Sequence, residues 1–112
     1  ALTSRKVYVL MTGEAGAQRE EGDDDAREEG VEITASIIKF LVNNQFEVGL
    51  FAPGVRIPPA SGSSGLRKLF LTLALLDVDK DWGQAGPLTP GYRSDRDILI
   101  TVNLDTGAVE KS

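Results

Sequence analysis

Apolar residues along the chain come in short blocks separated by polar, glycine- and proline-containing stretches. Val7-Tyr8-Val9-Leu10-Met11 is an unbroken apolar run of β-branched, aromatic and aliphatic side chains. Its length and its lack of alternation predict a strand over Lys6–Met11 that is buried on both faces. A polar loop, Gly13–Gly22, follows. Asp25 with Glu28 three residues later is an aspartate version of a capping box, so a helix is expected to start there. Further on, Glu32, Ser36, Lys39 and Asn43 recur at helical spacing and form one polar stripe. Ile33, Ile37, Ile38, Leu41 and Val42 fill the rest of the surface, an apolar face wide enough to lie on a sheet. The helix is expected to run to Asn43 or Asn44. Gly30 inside it costs about 1 kcal/mol relative to alanine. It reads either as a tolerated residue or as a point of close packing.

Phe46–Ala52 predicts a second strand. Pro53-Gly54 is a turn signal, after which Val55-Arg56-Ile57 can pair back as a short edge strand ended by Pro58-Pro59. Ala60–Gly65 is a loop by composition. Ser64 is a suitable cap for a second helix, in which Leu66, Leu69, Phe70, Leu73 and Leu76 share one face; that helix is expected to stop near Asp77. Asp79–Arg96 is rich in Gly, Pro and polar residues and reads as a long surface connection. Asp97–Leu104 is a third main strand, Asp105-Thr106-Gly107 a turn, and the remaining residues are too few for another element. The order strand, helix, strand, short strand, helix, strand implies one α/β domain over residues 1–112, with a mostly parallel sheet and right-handed crossovers. The chain ends where a further helix would follow, which suggests a piece of a longer protein.

Composition narrows the chemistry. The 112 residues contain no cysteine and no histidine. There is therefore no disulfide framework, no thiolate nucleophile and none of the commonest general base. A bound metal would need oxygen ligands, as magnesium, manganese and calcium accept. The net charge of −5 is concentrated: between Glu14 and Gly30 stand eight acids and two bases, so the rest of the chain is close to neutral. Without a basic stripe to neutralise phosphates, nucleic-acid binding is not expected. The apolar run Leu69–Leu76 is far too short to span a bilayer, and no basic-then-apolar leader marks the start. A cytoplasmic location is the expectation.

Other constellations carry little chemistry. The acidic stretch Glu20–Glu29 lacks the ligand spacing of a calcium loop and reads as a solvated loop and helix start. Its Glu20, Glu21, Asp23, Asp24 and Asp25 are candidates for steering a basic partner surface. Gly62-Ser63-Ser64-Gly65 precedes a helix but has no P-loop lysine. Ser61, Ser63 and Ser64 have no histidine to activate them. Trp82 and Tyr92 are expected to cover the edge of the core, or to anchor a partner.

The segments GVEITASIIKFLVNNQFEVGLFAPG and RIPPASGSSGLRKLFLTLALLD resemble the domain-of-unknown-function family fifty-eight, a bacterial and archaeal family, through the "EVGL…G" strand, the proline-rich turn and the leucine-rich helix. The resemblance spans Lys6 to about Leu104. It implies a von Willebrand factor A-like fold, that is, a three-layer, doubly wound, mostly parallel sheet, here minimal or truncated. It also implies a protein partner, a MoxR-type AAA ATPase, and allows a membrane-anchored parent protein although this segment has no span. Metal-binding relatives of that fold carry Asp-x-Ser-x-Ser after the first strand. The matching positions here are Met11, Gly13 and Ala15, which offer no side-chain oxygen. The oxygen-bearing residues left at the strand ends are Thr12 and Glu14 after the first strand, and Asp105 and Thr106 after the third. If those strands are neighbours, the four converge at the switch point of the sheet. As ordinary turn residues they would do no chemistry.

The resulting expectation is a non-catalytic interaction or scaffolding module, without cofactor. It would dock through Thr12–Gly16 and Asp105–Gly107. The alternatives are a divalent-cation-dependent binding domain or hydrolase using Glu14 and Asp105, and a small nucleotide-binding domain.

Overall fold

The computed structural model describes residues 5–13, 23–52, 55–60, 63–76, 93 and 95–111, with side-chain detail from residue 27 onward in the first helix and from 65 onward in the second. The elements in chain order are β1 (Lys6–Thr12), α1 (Asp23–Asn43), β2 (Glu47–Ala52), β3 (Val55–Ala60), α2 (Ser63–Ala74), β4 (Ile98–Asn103) and β5 (Val109–Lys111). They form one five-stranded mixed sheet in the order β3-β2-β1-β4-β5. β1 is central and parallel to both β2 and β4, while β3 and β5 are antiparallel edges.

Register sorts the apolar residues by face. Val7 aligns with Val48 and Ile98, Val9 with Leu50 and Ile100, and Met11 with Val102. These side chains share one face because directly opposed residues point the same way. Ile38 and Leu41 of α1 and Leu69 and Leu73 of α2 join the same buried cluster, and the two helices touch each other. Each fully buried aliphatic side chain of this kind contributes roughly 1.5–3 kcal/mol. The opposite face carries a smaller apolar centre. There the rings of Tyr8 and Phe51, both buried, stack with centroids 5.6 Å apart. Gly49 lies opposite Tyr8 in the register. A Cβ on Gly49 would come within 2.8 Å of the Ile57 carbonyl oxygen, so the edge strand β3 can close on β2 only because that position is glycine.

Of the three layers expected, the described residues form two, with both helices on one face. The reason is the edge hairpin. Right-handedness governs crossovers between parallel strands. Because β3 turns back on β2, α2 links antiparallel strands β3 and β4, and the rule that would send it to the far face does not apply.

Other boundaries differ as well. α1 begins at Asp23, so Asp25 is inside the helix and is not its cap. Three successive aspartates offer equivalent starts, and carboxylates are favourable throughout a first helical turn. β3 continues through Pro58-Pro59 to Ala60 by way of a register shift opposite Val48 and Leu50. Proline lacks an N–H but is accepted on an edge strand or at a bulge. α2 starts at Ser63 and stops at Ala74, just short of the Asp77 stop. β4 loses one residue at each end relative to Asp97–Leu104. β5 was not expected at all. It is three exposed residues long and exists because a tight turn returns the chain onto β4. The helical stripe of Glu32, Ser36, Lys39 and Asn43 is exposed, while Ile38 and Leu41 are buried, as their spacing requires. No helix among the described residues is long and apolar enough to cross a membrane.

Candidate functional site

β1 sits between two parallel neighbours, and the chain leaves its carboxyl end toward β2 through α1. The crevice beyond β1 and β4 is therefore the switch point of the sheet, where ligands bind in open α/β folds. Thr12 and Asn103, at the ends of these strands, are register partners. The Thr12 carbonyl accepts the N–H of Leu104 at 2.9 Å, which extends the pairing one residue past β4. The Thr12 hydroxyl points to the Val102 carbonyl at 3.5 Å, so it is turned back onto the sheet.

The turn after β4 is organised by Asn103. Its Oδ1 accepts the N–H groups of Asp105 and Thr106 at 2.9 and 3.2 Å. Its main chain pairs with Gly107 and Ala108, at 2.8 and 2.9 Å, to close the hairpin. The Thr106 hydroxyl accepts the Ala108 N–H at 3.1 Å. Gly107 adopts φ +75°, a left-handed conformation in which a β-carbon is costly.

This turn holds the Asp105 carboxylate toward α1, where Arg27 meets it. Arg27 Nε lies 2.8 Å from Asp105 Oδ1, and a second guanidinium nitrogen lies 3.5 Å from Oδ2. The Arg27 side chain is 0% exposed and the Asp105 side chain 16%. A fully buried guanidinium is tolerated only when paired and hydrogen-bonded. The Nε contact is a short charge-assisted hydrogen bond, and the second contact is long. Close by, Gly30 brings α1 against Leu104: a β-carbon there would lie 2.8 Å from the Leu104 side chain and 3.1 Å from its Cα. Gly30 is thus a close-packing point, one of its two readings. The buried Thr34 hydroxyl donates to the Gly30 carbonyl at 2.9 Å and so is satisfied within the helix.

An open pocket of about 250 Å³ lies between α1 and this turn, lined by Glu29, Gly30, Ile33, Asp105, Thr106 and Gly107. Thr12, Asp105 and Thr106 therefore do come together at one end of the sheet, as neighbouring strands require. Glu14, Glu20 and Glu21 lie outside the described residues, as do Ser61, Gly62, Trp82 and Tyr92. Asp23, Asp24 and Asp25 occupy the first turn of α1. Among the described residues no group of three or more carboxylates is placed to hold a metal ion.

Arg27 is the residue that sequence reasoning missed, having been counted merely as a charge in an acidic run. A signal was available: Arg27, Thr34, Ile38 and Leu41 follow one another at spacings of seven, four and three, which places the arginine on the buried stripe of the helix.

At the opposite end of the sheet, the buried Asp97 accepts the Arg93 N–H at 2.9 Å and meets Arg96 at 3.5 Å. It lies near Tyr8, whose hydroxyl pKa is raised above its ordinary 10.0 by burial first, then by the negative charge of Asp97, with Arg96 opposing and Glu47 adding to the rise.

Comparison with known protein families, with curated proteins and with solved structures finds no match to this chain.

Proposed function

We propose that the chain is a non-catalytic protein-interaction module of von Willebrand factor A-like type that docks a partner through the carboxyl ends of β1 and β4. The observation that carries this reading is the Arg27–Asp105 ion pair. In this reading the strand-end carboxylate that a divalent cation would need is already neutralised by a buried guanidinium, and a second cation at that point would be repelled. The same pair makes the turn rigid, and a fixed turn beside a shallow pocket is a surface that a partner can recognise without ordering it first. The three aspartates that open α1 would speed encounter with a basic surface. The partner class is a MoxR-type AAA ATPase, on the strength of the resemblance in the sequence. Its alternative is a divalent-cation-dependent binding domain or hydrolase.

The test is a ¹⁵N–¹H NMR titration. Magnesium and manganese are added first, and a purified MoxR-type AAA ATPase afterwards. The expected result is no saturable shift with either ion, then shifts or broadening confined to Gly13 and Asp105–Gly107 with the ATPase. Saturable shifts of Thr12, Asp105 and Thr106 with the ions would favour the cation-dependent alternative. An undisturbed strand end in the presence of the ATPase would remove that partner.

A further inference from the structure

The outer surface of the helical layer carries charge of opposite sign on its two helices. From Val48 to Leu76 the sequence has no carboxylate and three cations, Arg56, Arg67 and Lys68. Arg67 and Lys68 are exposed on α2 and form no ion pair among the described residues. One turn further along the same helix stands Leu71, 60% exposed, and just past the helix end Leu75, 76% exposed, whose N–H donates to the Leu71 carbonyl at 3.1 Å. An i, i+4 pair of leucines this open to water is an unpartnered apolar stripe beside two positive charges. α1 presents the complement. Glu28, Glu29 and Glu32 are exposed on its first half, and near its end stand the exposed Lys39 and Phe40, the latter 65% exposed, so the helix face is negative overall.

The spacings of the two stripes agree. Glu32 to Phe40 is eight residues, and so is Arg67 to Leu75. Each span is about 12 Å of helix. Laid side by side in the same direction, Glu32 meets Arg67, the small Ser36 meets Leu71, and Phe40 meets Leu75. Within one molecule this pairing is unavailable, because all of these residues face outward. Between molecules it is available.

We propose that α2 of one copy docks on the outer face of α1 of a second copy, so that the chain associates with itself head to tail. The contact is heterologous: each copy offers both stripes, and pairing one leaves the other exposed for the next molecule. The leucines and Phe40 supply the apolar centre, and the charges fix partner choice and direction. This interface does not use the strand-end turn, so it stands or falls independently of the function proposed above.

Sedimentation velocity across a concentration series tests it, with the whole chain at low and at high salt. The mean mass should rise with concentration past that of a dimer, and the rise should shrink in high salt. The single variants E32K and R67E, at the one charge pair of this register, change only exposed positions. Each alone should associate at least roughly tenfold more weakly, because like charges then face each other. Mixed together they should associate again, since the reversed α2 of one variant complements the reversed α1 of the other. A wild-type chain that stays monomeric at every concentration, a species that stops at a closed dimer, or a mixture of variants that does not recover would each overturn the proposal.

Discussion

Replacing Asp105 with alanine removes the carboxylate from a guanidinium that has no exposure to water. The loss can be sized. Removing one member of a buried ion pair costs about 3–5 kcal/mol, mostly because the other charge stays buried. Asp105 is itself 16% exposed and is not the sole partner of Arg27, which places the expected loss at the lower end, about 3 kcal/mol. The reverse change, Arg27→Met, keeps the apolar stem and leaves a carboxylate that reaches solvent. It should cost less, about 1–2 kcal/mol. The two effects are not additive, because both variants break the same contact. The double variant R27M/D105A should therefore be about as stable as D105A alone, or more so, with a coupling of at least about 1 kcal/mol. Urea unfolding followed by circular dichroism gives the four midpoints of the cycle. With an unchanged slope, the midpoint shifts convert directly to free energies. For a domain of this size a 3 kcal/mol loss also lowers the melting temperature by roughly 10–15 °C. If D105A costs less than about 1 kcal/mol, or if the two single effects simply add, then the pair does not hold the switch point together as argued here.

Three further outcomes follow from the same structure. Gly30→Ala should destabilise by about 1–3 kcal/mol despite the roughly 1 kcal/mol gain in helix propensity, since its β-carbon would lie 2.8 Å from the Leu104 side chain and 3.1 Å from its Cα; a rise in melting temperature would contradict this. Gly107→Ala meets only an ordinary contact with Ile33 but carries the left-handed φ, so it should cost about 1–2 kcal/mol by strain alone and show as local loss of amide protection in β5. Tyr8 keeps its proton longer in the folded chain than in the unfolded one. The stability this gives is present in full below about pH 10 and is lost as pH rises above it toward the raised folded value. A Tyr92→Phe background isolates Tyr8, since the chain has two tyrosines, and tyrosinate absorbance should then titrate above the ordinary value; a midpoint at or below it would contradict the burial argument.

Much of the fold was legible along the chain because local patterns carry it. The run Val7–Met11 reads as a buried strand, and it is the central one. The polar stripe Glu32–Ser36–Lys39–Asn43 fixed which face of α1 meets water. Val55-Arg56-Ile57 after Pro53-Gly54 pointed to an antiparallel edge, and the register bears that out. β5 escaped notice because its three residues have no periodicity; its place comes from the hairpin closed by Asn103, Thr106 and Gly107. The helix start was one of several equivalent aspartates, and the choice among them is not a local one.

The site divides in the same way. The sequence by itself determined that Thr12, Asp105 and Thr106 end strands and that, if those strands pair, they share an edge. It also determined that any chemistry there must do without histidine or cysteine. Only the tertiary structure decided that β1 and β4 are neighbours, that both described helices lie on one face, and that Asp105 faces a buried arginine 78 residues earlier in the chain. The physical reason is the range of the interactions. Strand and helix patterns reflect forces acting over one or two turns of chain, and these are written where they act. A charge pair between distant segments is worth its desolvation only after the sheet has brought the partners together and excluded water. Neither Arg27 nor Asp105 carries a local mark of the other.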